Sequence, residues 1–504
     1  TYIDAIANIN KRFNDFNIAA NVGYSYSDYA SLTRGYGGNL VLVPNKFTLQ
    51  NIDPADSKVR EAGGDSKVRN VAAFANAEIG WKSMLYLTVT GRNDWNSRLV
   101  NSSEESFFYP SVGLSGIISE MFKLPTFISY LKVRGSYTEV GSPVSRSGMT
   151  PGTITTPLVG GSLKSTDIYP FTNYKAERTK SYEVGLTARF WNKLSLDLTL
   201  YKSNTYNQTF IGELPESSGY KAAYLQAGNV ENRGIEMALG YNDNFGGVQW
   251  NSSLVYSKNI NEIKEMVKDY HHPLSPKPIN IPEVSKDKGR VLLKVGGSIN
   301  DIYARKVLAK DNQGYVNVSP SGGIGLETVD PIYLGKTTPD FTIGWNNSFT
   351  YKNFGLSFLL NARVGGVVTS STQALLDRFG VSKASADARD AGGVMLPNQG
   401  LYDAKKYYML TATGENDLAG YYTYSATNVR LQELTLSYKF NSKLFNNVIK
   451  DLTLSFVATN PWMIYCKAPF DPELTASTGT YGQGNDYFMQ PSLKSYGFSV
   501  KFKF

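Results

Sequence analysis

The last ten residues of the chain, 495–504, alternate between apolar and polar side chains without a break. Because successive side chains of a strand point to opposite faces, this pattern predicts a strand with one wholly apolar face. In a soluble protein such a strand is an aggregation-prone edge, whereas in a closed barrel set in lipid its apolar face meets hydrocarbon. The pattern favours a membrane β-barrel. Its predicted terminal assembly strand carries the apolar set Tyr496, Phe498, Val500, Phe502 and Phe504.

The rest of the chain repeats the same pattern. We count about 15 alternating segments of roughly ten residues, the length that a tilted strand needs to cross a bilayer. The clearest is a hairpin whose apolar residues run through 182–190 and 194–200. Short turns alternate with long polar stretches, as in membrane barrels with short periplasmic turns and long external loops. The sequence therefore predicts an all-β, transmembrane antiparallel β-barrel.

Two local departures from the alternation carry predictions of their own. The apolar residues shift register near Gln432-Glu433, which predicts a β-bulge there. The polar stretch 259–340 contains a segment, 298–307, that is predicted to hold an extra strand. With about 15 strands, the first and last run in the same direction, so the chain is expected to begin in an external loop. Residues 1–504 are thus predicted to be the C-terminal part of a barrel.

Composition limits the alternatives without choosing among them. No apolar run approaches the roughly 18 residues of a membrane helix, which excludes a helical membrane protein. The net charge of +8 is spread along the chain and no nucleic-acid-binding motif accompanies it, so a nucleic-acid partner is not expected. The single cysteine, Cys466, excludes a disulfide within the chain. Aromatic residues make up 13% of the sequence, which suits both interfacial girdles and a soluble carbohydrate-binding protein.

Seven short stretches together resemble the SusC/RagA family of TonB-dependent outer-membrane transporters. The resemblance spans nearly the whole chain, and the motifs keep their order. The barrel of that family has 22 strands, which leaves about seven strands outside this chain. The stretches are GRNDWNS at 91–97, FYPSV at 108–112, LKVRGSY at 131–137, ERTKSYEVG at 177–185, GNVENRGIE at 228–236, PDFTIG at 339–344 and DPE at 471–473.

The resemblance implies a function and a set of partners. Family members import oligosaccharides or peptides across the outer membrane of Gram-negative bacteria, with a plug domain in the barrel that couples to the TonB complex. A SusD-like surface lipoprotein covers the barrel as a lid, and transporter–lid pairs are expected to form dimers. No plug domain or TonB-interacting box is recognisable in residues 1–504. The expected partners are therefore the lid, the TonB complex acting through a plug outside this chain, the remaining strands, outer-membrane lipid and the cargo.

No catalytic, cofactor or metal site is predicted, and we expect the protein not to be an enzyme. The adjacent pair His271-His272 would point to opposite sides of an extended segment, and no matched acid and base stand out. Cargo is expected to contact external loops and inward strand faces, where aromatic rings beside hydrogen-bonding groups suit both sugars and peptides. The candidate contact residues are Arg92, Asp94, Trp95, Arg363, Tyr421, Tyr422 and Tyr424.

Two other functions remain open on the sequence alone. A passive porin-type barrel would share the strands and the loop asymmetry but would have no plug. A soluble β-rich carbohydrate-binding protein would share the alternation, because a pattern does not say which face is buried. Structure decides the second question directly, since a sandwich buries the apolar faces and a membrane barrel exposes them.

Overall fold

The computed structural model describes most of the chain. Phe504, the last member of the predicted terminal strand, lies outside the described residues, as does most of the stretch between 144 and 174. The described residues are 1–53, 60–100, 102, 104–143, 158–159, 162–163, 168–169, 175–214, 217, 220, 222–272, 275–286, 290–412, 416–441, 451–477, 479 and 482–503.

Within these residues, fifteen strands pair in chain order into one antiparallel sheet. Each strand hydrogen-bonds to the strands before and after it in the sequence, so β1 and β15 are the two edges of the sheet in the described part of the chain. The strands are β1 (Tyr2–Phe13), β2 (Phe16–Gly37), β3 (Arg60–Trp81), β4 (Leu85–Asn96), β5 (Ser106–Ile117), β6 (Ile128–Ser142), β7 (Glu177–Phe190), β8 (Leu194–Glu213), β9 (Ala222–Phe245), β10 (Val248–Glu265), β11 (Phe341–Tyr351), β12 (Phe354–Val364), β13 (Asn428–Phe440), β14 (Asp451–Cys466) and β15 (Ser495–Lys503).

Tight turns join the strands at one end of the sheet. Lys82 and Ser83 connect β3 to β4 with φ of 51° and 58°, and Gly246 and Gly247 connect β9 to β10 with φ of 58° and 79°. Positive φ at both central residues matches the right-handed twist of the paired strands, which is why such turns close hairpins. Longer connections leave the sheet at the other end, and the longest of them is formed by residues 266–340. The predicted asymmetry between short turns and long loops is confirmed.

One face of the sheet is apolar and exposed along its whole width. Paired strands place these side chains in register, and Leu200 and Phe498 are 51% and 85% exposed. They are not buried against a second sheet, so the arrangement is that of a transmembrane barrel whose outer wall meets lipid. Members of this outward face include Leu87, Val89, Val112, Leu114, Val133, Val184, Leu200, Leu436, Leu454, Tyr496, Phe498, Val500 and Phe502. Among the described residues, the helices are all too short or too polar to traverse a bilayer.

The strand predictions were largely right, with two instructive differences. The bulge near Gln432 is confirmed: Leu431 pairs with Leu360 and Glu433 with Leu359, which leaves Gln432 without a register partner in β12. The extra strand expected at 298–307 exists as Asp301–Leu308, but it belongs to a four-stranded sheet within a loop. Strand β1, Tyr2–Phe13, was not recognised in the sequence.

The long connections are themselves folded. Helix α1 (Ile118–Met121) lies at the short-turn end, and helices α2 (Ser371–Arg378), α3 (Lys383–Asp390) and α4 (Ala404–Thr411) lie in the loop between β12 and β13. The same loop also contains the short strands Val367–Ser370, Val394–Leu396, Gly400–Tyr402 and Thr423–Ser425. Short strands in the other loops are Leu158–Val159, Ser162–Leu163, Ile168–Tyr169, Val267–Tyr270, Ile279–Ile281, Glu283–Lys286, Val291–Lys294, Asp301–Leu308, Leu326–Lys336 and Asn485–Asp486.

One of the small sheets joins two loops that are far apart in sequence. Val367–Ser370 pairs antiparallel with Thr423–Ser425 and parallel with Asn485–Asp486. The Ser370 hydroxyl donates a buried hydrogen bond of 2.7 Å to an Asp486 carboxylate oxygen. The loop between β12 and β13 is therefore fastened to the loop between β14 and β15.

Candidate functional site

The second face of the sheet, which we call the lumenal face, is a polar wall. In strands β6 to β8, Arg134 donates hydrogen bonds of 3.1 and 3.3 Å to Asp197, and it also donates one of 2.6 Å to the Thr199 hydroxyl. Thr187 donates a further 2.6 Å bond to Asp197. A charge network shared by three strands holds these side chains in fixed positions and presents hydrogen-bonding groups to the interior.

An amide-rich network continues the lumenal face across β8 to β10. Asn259 and Asn261 both donate to the Asn232 side-chain oxygen, at 3.2 and 2.9 Å, and the Tyr201 hydroxyl donates to Asn259 at 3.2 Å. Sequence reasoning singled out neither this network nor the one around Arg134. Their only sequence signal is polar residues at alternate strand positions, a signal that many other lumenal positions share.

Arg92 and Asp94, two of the predicted contact residues, lie together on the lumenal face at the long-loop end of β4. Arg92 Nε donates a 2.6 Å bond to Asp94 Oδ1. The Tyr109 hydroxyl and the Asn70 amide donate two more bonds, at 3.1 and 3.2 Å, to the same carboxylate. Asp94 is buried by these partners, whereas the Arg92 side chain keeps 29% of its surface exposed. Of these two predicted residues, Arg92 is therefore the one that an incoming molecule can reach.

Trp95 lies on the opposite side of the same strand. It pairs in register with Val71 and shares the outward face with Val89, where its ring is 45% exposed. Adjacent residues of a strand cannot share a face, so the structure separates Trp95 from Arg92 and Asp94. An indole at the long-loop end of the outward face suits the interfacial aromatic belt of a membrane barrel.

Arg363 ends β12 on the lumenal face and holds a loop to the wall. Its Nη2 donates a 2.7 Å bond to the carbonyl oxygen of Thr337 in the loop between β10 and β11. Its Nε is buried and has no hydrogen-bond partner within the described part of the chain. A buried N–H without an acceptor costs free energy, so a ligand that accepts a hydrogen bond from Arg363 Nε would be favoured. Arg363 thus makes one structural hydrogen bond and keeps one donor unused.

The three predicted tyrosines divide by burial. Tyr422 is 8% exposed and its hydroxyl donates a 3.1 Å bond to the buried Asp377 carboxylate. Burial, and then the proximity of Asp377, raises the pKa of the Tyr422 phenol, which stays protonated as the donor. Tyr424 packs its ring edge-on against Phe470. Tyr421 alone is substantially exposed, at 45%. Tyr422 and Tyr424 thus hold the loop together and Tyr421 faces solvent.

Removing the Tyr422 hydroxyl tests this division. We expect Tyr422→Phe to destabilise the loop between β12 and β13 by about 1–3 kcal/mol, because it deprives a buried carboxylate of a hydrogen bond. Amide hydrogen exchange of helix α2 should accelerate accordingly in the full-length protein. Tyr421→Phe is the matched control, since its ring is exposed and its hydroxyl meets Tyr407 and not a buried carboxylate. Unchanged exchange of helix α2 in both variants would contradict the assignment.

Arg430 and Asp471 form a further cluster, which is not among the predicted contact residues. Of the two, only Asp471 belongs to a motif of the sequence analysis, the DPE stretch at 471–473. Arg430 Nη2 donates a 2.8 Å bond to Asp471 Oδ1 and Nη1 donates a 3.3 Å bond to Oδ2, a bidentate pair with both side chains under 10% exposed. Ser492 donates a further bond to Asp471. This pair fastens the last long loop to β13. In the described residues, no group of three or more histidine, cysteine, aspartate or glutamate side chains is placed to hold a metal ion.

Comparison with known proteins agrees with this architecture. The family described as "TonB dependent receptor-like, beta-barrel" matches residues 2–460. TonB-dependent receptor P3 of Formosa agariphila is 23% identical over 531 residues, covering 98% of this chain and 51% of that protein. TonB-dependent receptor SusC of Bacteroides thetaiotaomicron is 24% identical over 326 residues, which cover 60% of this chain and 30% of SusC. The chain spans about half the length or less of these curated relatives.

Solved structures show the same fold. The RagAB peptide importer in its open-open state superposes with a TM-score of 0.76 at 17% sequence identity, covering 100% of this chain and 54% of the matched chain. The closed-closed state gives a TM-score of 0.71 at the same identity, covering 99% of this chain and 55% of that chain. The match extends over all fifteen strands of the sheet. Because the sequence identity is only 17%, the match establishes the fold and nothing about function.

Proposed function

Because the chain belongs to the TonB-dependent receptor β-barrel family, we propose that it forms part of the wall of an active importer for oligosaccharides or peptides. Its location is the outer membrane of a Gram-negative bacterium. The observation that carries the proposal is the division of one sheet into an exposed apolar face and a hydrogen-bonded polar face. Such a wall separates lipid from a wet interior through which cargo passes without being chemically changed.

The chain is proposed to be the C-terminal part of a 22-stranded barrel, with about seven strands and the plug domain outside residues 1–504. The two unpaired edges, β1 and β15, support this, because an open edge in lipid leaves backbone groups without partners. Energy from the TonB complex reaches the barrel through the plug. The lumenal network around Arg134 lies toward the short-turn end, where a plug would contact the wall.

A SusD-like lipoprotein is proposed to cover the long-loop end, and transporter–lid pairs are proposed to form dimers. Support comes from that end of the molecule, where the loops carry large exposed apolar side chains such as Phe379, Met395 and Phe488. Exposed apolar patches of this kind commonly mark protein interfaces. Affinity purification of the tagged full-length protein from solubilised membranes should therefore recover a surface lipoprotein in equal amount.

Uptake measurements test the importer proposal directly. A strain lacking the gene should lose uptake of a labelled oligosaccharide or oligopeptide mixture, and a TonB-deficient strain should lose it to the same extent. Uptake that needs the gene but persists without TonB would instead identify a passive porin. Comparing uptake of the two cargo classes decides between oligosaccharide and peptide.

Tyr421 is the proposed aromatic platform for cargo at the long-loop end. We expect Tyr421→Ala to raise the KM of uptake about threefold to tenfold, because a lost ring contact is worth about 0.5–1.5 kcal/mol. Tyr465→Ala is the matched control: its ring is 42% exposed, against 45% for Tyr421, but it pairs with Val429 on the outward face. Equal KM values for the two variants, at equal membrane levels, would contradict a cargo role for Tyr421.

A further inference from the structure

A cluster of charged side chains interrupts the outward face at its long-loop end. It consists of Glu231 and Arg233 on β9, Lys202 on β8, and Glu262 and Lys264 on β10, which we call the Glu231 cluster. Register places it on the outward face, because Lys202 follows Leu200 at the next outward position of β8 and pairs with Arg233. Charges at this place are not expected of a wall that simply faces hydrocarbon.

The height of the cluster coincides with the outer boundary of the apolar band. Glu231 pairs with Asn204, ten residues along β8 from Leu194 beside the short turn. At about 3.3 Å per residue and a strand tilt of about 40°, ten residues rise about 25 Å, which equals the height of the apolar band of such barrels. One position below, Tyr182 pairs with Lys202, and its 57%-exposed ring belongs to the outer aromatic girdle. The cluster therefore lies at the level of the outer-leaflet headgroups.

Its internal geometry presents cations outward over a buried anion. Lys202 Nζ lies 2.8 Å from Glu231, Arg233 lies 3.3 Å and Lys264 lies 3.8 Å from the same carboxylate. The Glu231 side chain is only 5% exposed, whereas those of Lys202 and Arg233 are 55% and 50% exposed. The carboxylate thus gathers three cations at one point, and the ammonium and guanidinium groups have more donors than one carboxylate can accept.

The surrounding charges keep the site cationic. Glu262 is the second carboxylate, bound to Lys264 at 2.7 Å and to Arg233 at 3.6 Å. Two further lysines flank the cluster on the same face: Lys180, which lies over the Tyr206 ring, and Lys258, which pairs with Ile235. Beside Lys180, Glu139 and Arg178 form a further ion pair at 2.9 Å. Six cations against three carboxylates leave a net positive charge where lipid headgroups lie, and cationic groups beside a membrane surface attract anionic lipid.

We propose that the Glu231 cluster is a binding site for the phosphate groups of an outer-leaflet lipid. Arg233 matches the geometry of phosphate with its planar pair of donors, and Lys202 and Lys264 add point charges on either side. Lipid held here fixes the depth of the barrel in the membrane. The proposal depends on the outer-membrane location and not on the import of any cargo.

Native mass spectrometry of the full-length protein in neutral detergent tests the site with three probes. These are diphosphoryl lipid A, the same lipid without its phosphates, and inorganic phosphate. We expect the diphosphoryl lipid to bind at least tenfold more tightly than the dephosphorylated lipid. Equal binding of the two lipids overturns the proposal, and so does saturation by inorganic phosphate at the same concentration, which would mark a site for the free anion.

Variants locate the binding on the cluster. Replacing Lys202, Arg233 and Lys264 with Gln should remove the tenfold preference. Because that change strands a buried carboxylate, a second, fourfold variant adds Glu231→Gln, which removes the buried charge and leaves Glu262 as the remaining carboxylate of the cluster. The matched control replaces three cations at the short-turn end with Gln: Lys11, Lys82 and Lys352. A preference that survives in the fourfold variant, or that is lost equally in the control, overturns the assignment.

Discussion

Val89→Arg is expected to destabilise the folded barrel by about 2–4 kcal/mol in a bilayer, whereas Thr88→Arg is expected to change its stability little. Val89 is 43% exposed on the outward face and pairs with Ala77 and Val112, at a height near the middle of the apolar band. An arginine there meets hydrocarbon. Thr88 points into the lumen opposite Glu78, where an arginine finds water and a carboxylate partner.

The two substitutions are at adjacent positions of the same strand and at nearly the same depth in the membrane, and both introduce an arginine. Folding yield into lipid vesicles and the level of heat-modifiable protein in the outer membrane measure the difference. The full-length protein is the correct material, because the described sheet is open at β1 and β15. Equal yields for the two variants would mean that the faces have been assigned wrongly, and an effect confined to Thr88→Arg would mean that they are reversed.

Arg430→Met is expected to release the last long loop from the barrel wall. Breaking a buried ion pair by removing one partner typically destabilises a protein by about 3–5 kcal/mol, because the remaining charge stays buried. Here Asp471 would keep its bond from Ser492 but lose both bonds from Arg430. Amide hydrogen exchange over 467–477 should rise by orders of magnitude, and protease should cut this segment in the variant.

Lys439→Met supplies the control for this prediction. Lys439 lies on the same strand and pairs with Asp451, but the two side chains are 59% and 46% exposed. An exposed pair contributes about 0–1 kcal/mol, so exchange over 467–477 should not change. Comparable exchange in the two variants would show that the Arg430–Asp471 pair does not hold the loop.

Acid should reproduce part of the effect of Arg430→Met. Although burial acts to raise the pKa of the Asp471 carboxyl, hydrogen bonds from Arg430 and Ser492 hold it below its usual value of 3.8. A carboxyl whose pKa is lower in the folded state contributes stability that is fully present above its unfolded pKa and is lost as pH falls through the folded value. Loop exchange, corrected for the intrinsic pH dependence of amide exchange, should therefore rise below about pH 4 in the unmodified protein and not in Arg430→Met.

The barrel could be predicted from the sequence because lipid requires apolar side chains on the outward face of every strand. Leu198, Leu200 and their neighbours obey period two without exception, and the turn residues Gly246 and Gly247 mark where it restarts. β1 escaped notice because its pattern is mixed: it places Ile6 on the lumenal side and Lys11 near the turn on the outward side. Asp301–Leu308 carries the β-branched and aromatic residues typical of a strand, such as Ile302, Tyr303 and Val307, and only pairing shows that it belongs to a loop sheet.

Side-chain partners were beyond the reach of the same reasoning. Period two separates Arg92 and Asp94 from Trp95, and this much follows from the sequence alone once the strand is known. It does not reveal that Tyr422 would be buried on Asp377, because those residues meet across 45 positions of a loop. The Arg430–Asp471 pair spans 41 positions. Contacts of this range depend on how loops fold over the barrel, which local patterns do not encode.

The small sheet formed by Val367–Ser370, Thr423–Ser425 and Asn485–Asp486 bears on attempts to re-engineer specificity. If only one of the two loops were replaced with that of a relative, the remaining loop would lose a strand partner of the small sheet. Either Ser370 or Asp486 would also lose its buried hydrogen bond. The described parts of these two loops, within 365–427 and 467–494, are therefore expected to work as a single unit. Chimaeras that graft both together should assemble, and homologous recombination between such genes should preserve the two as a linked module.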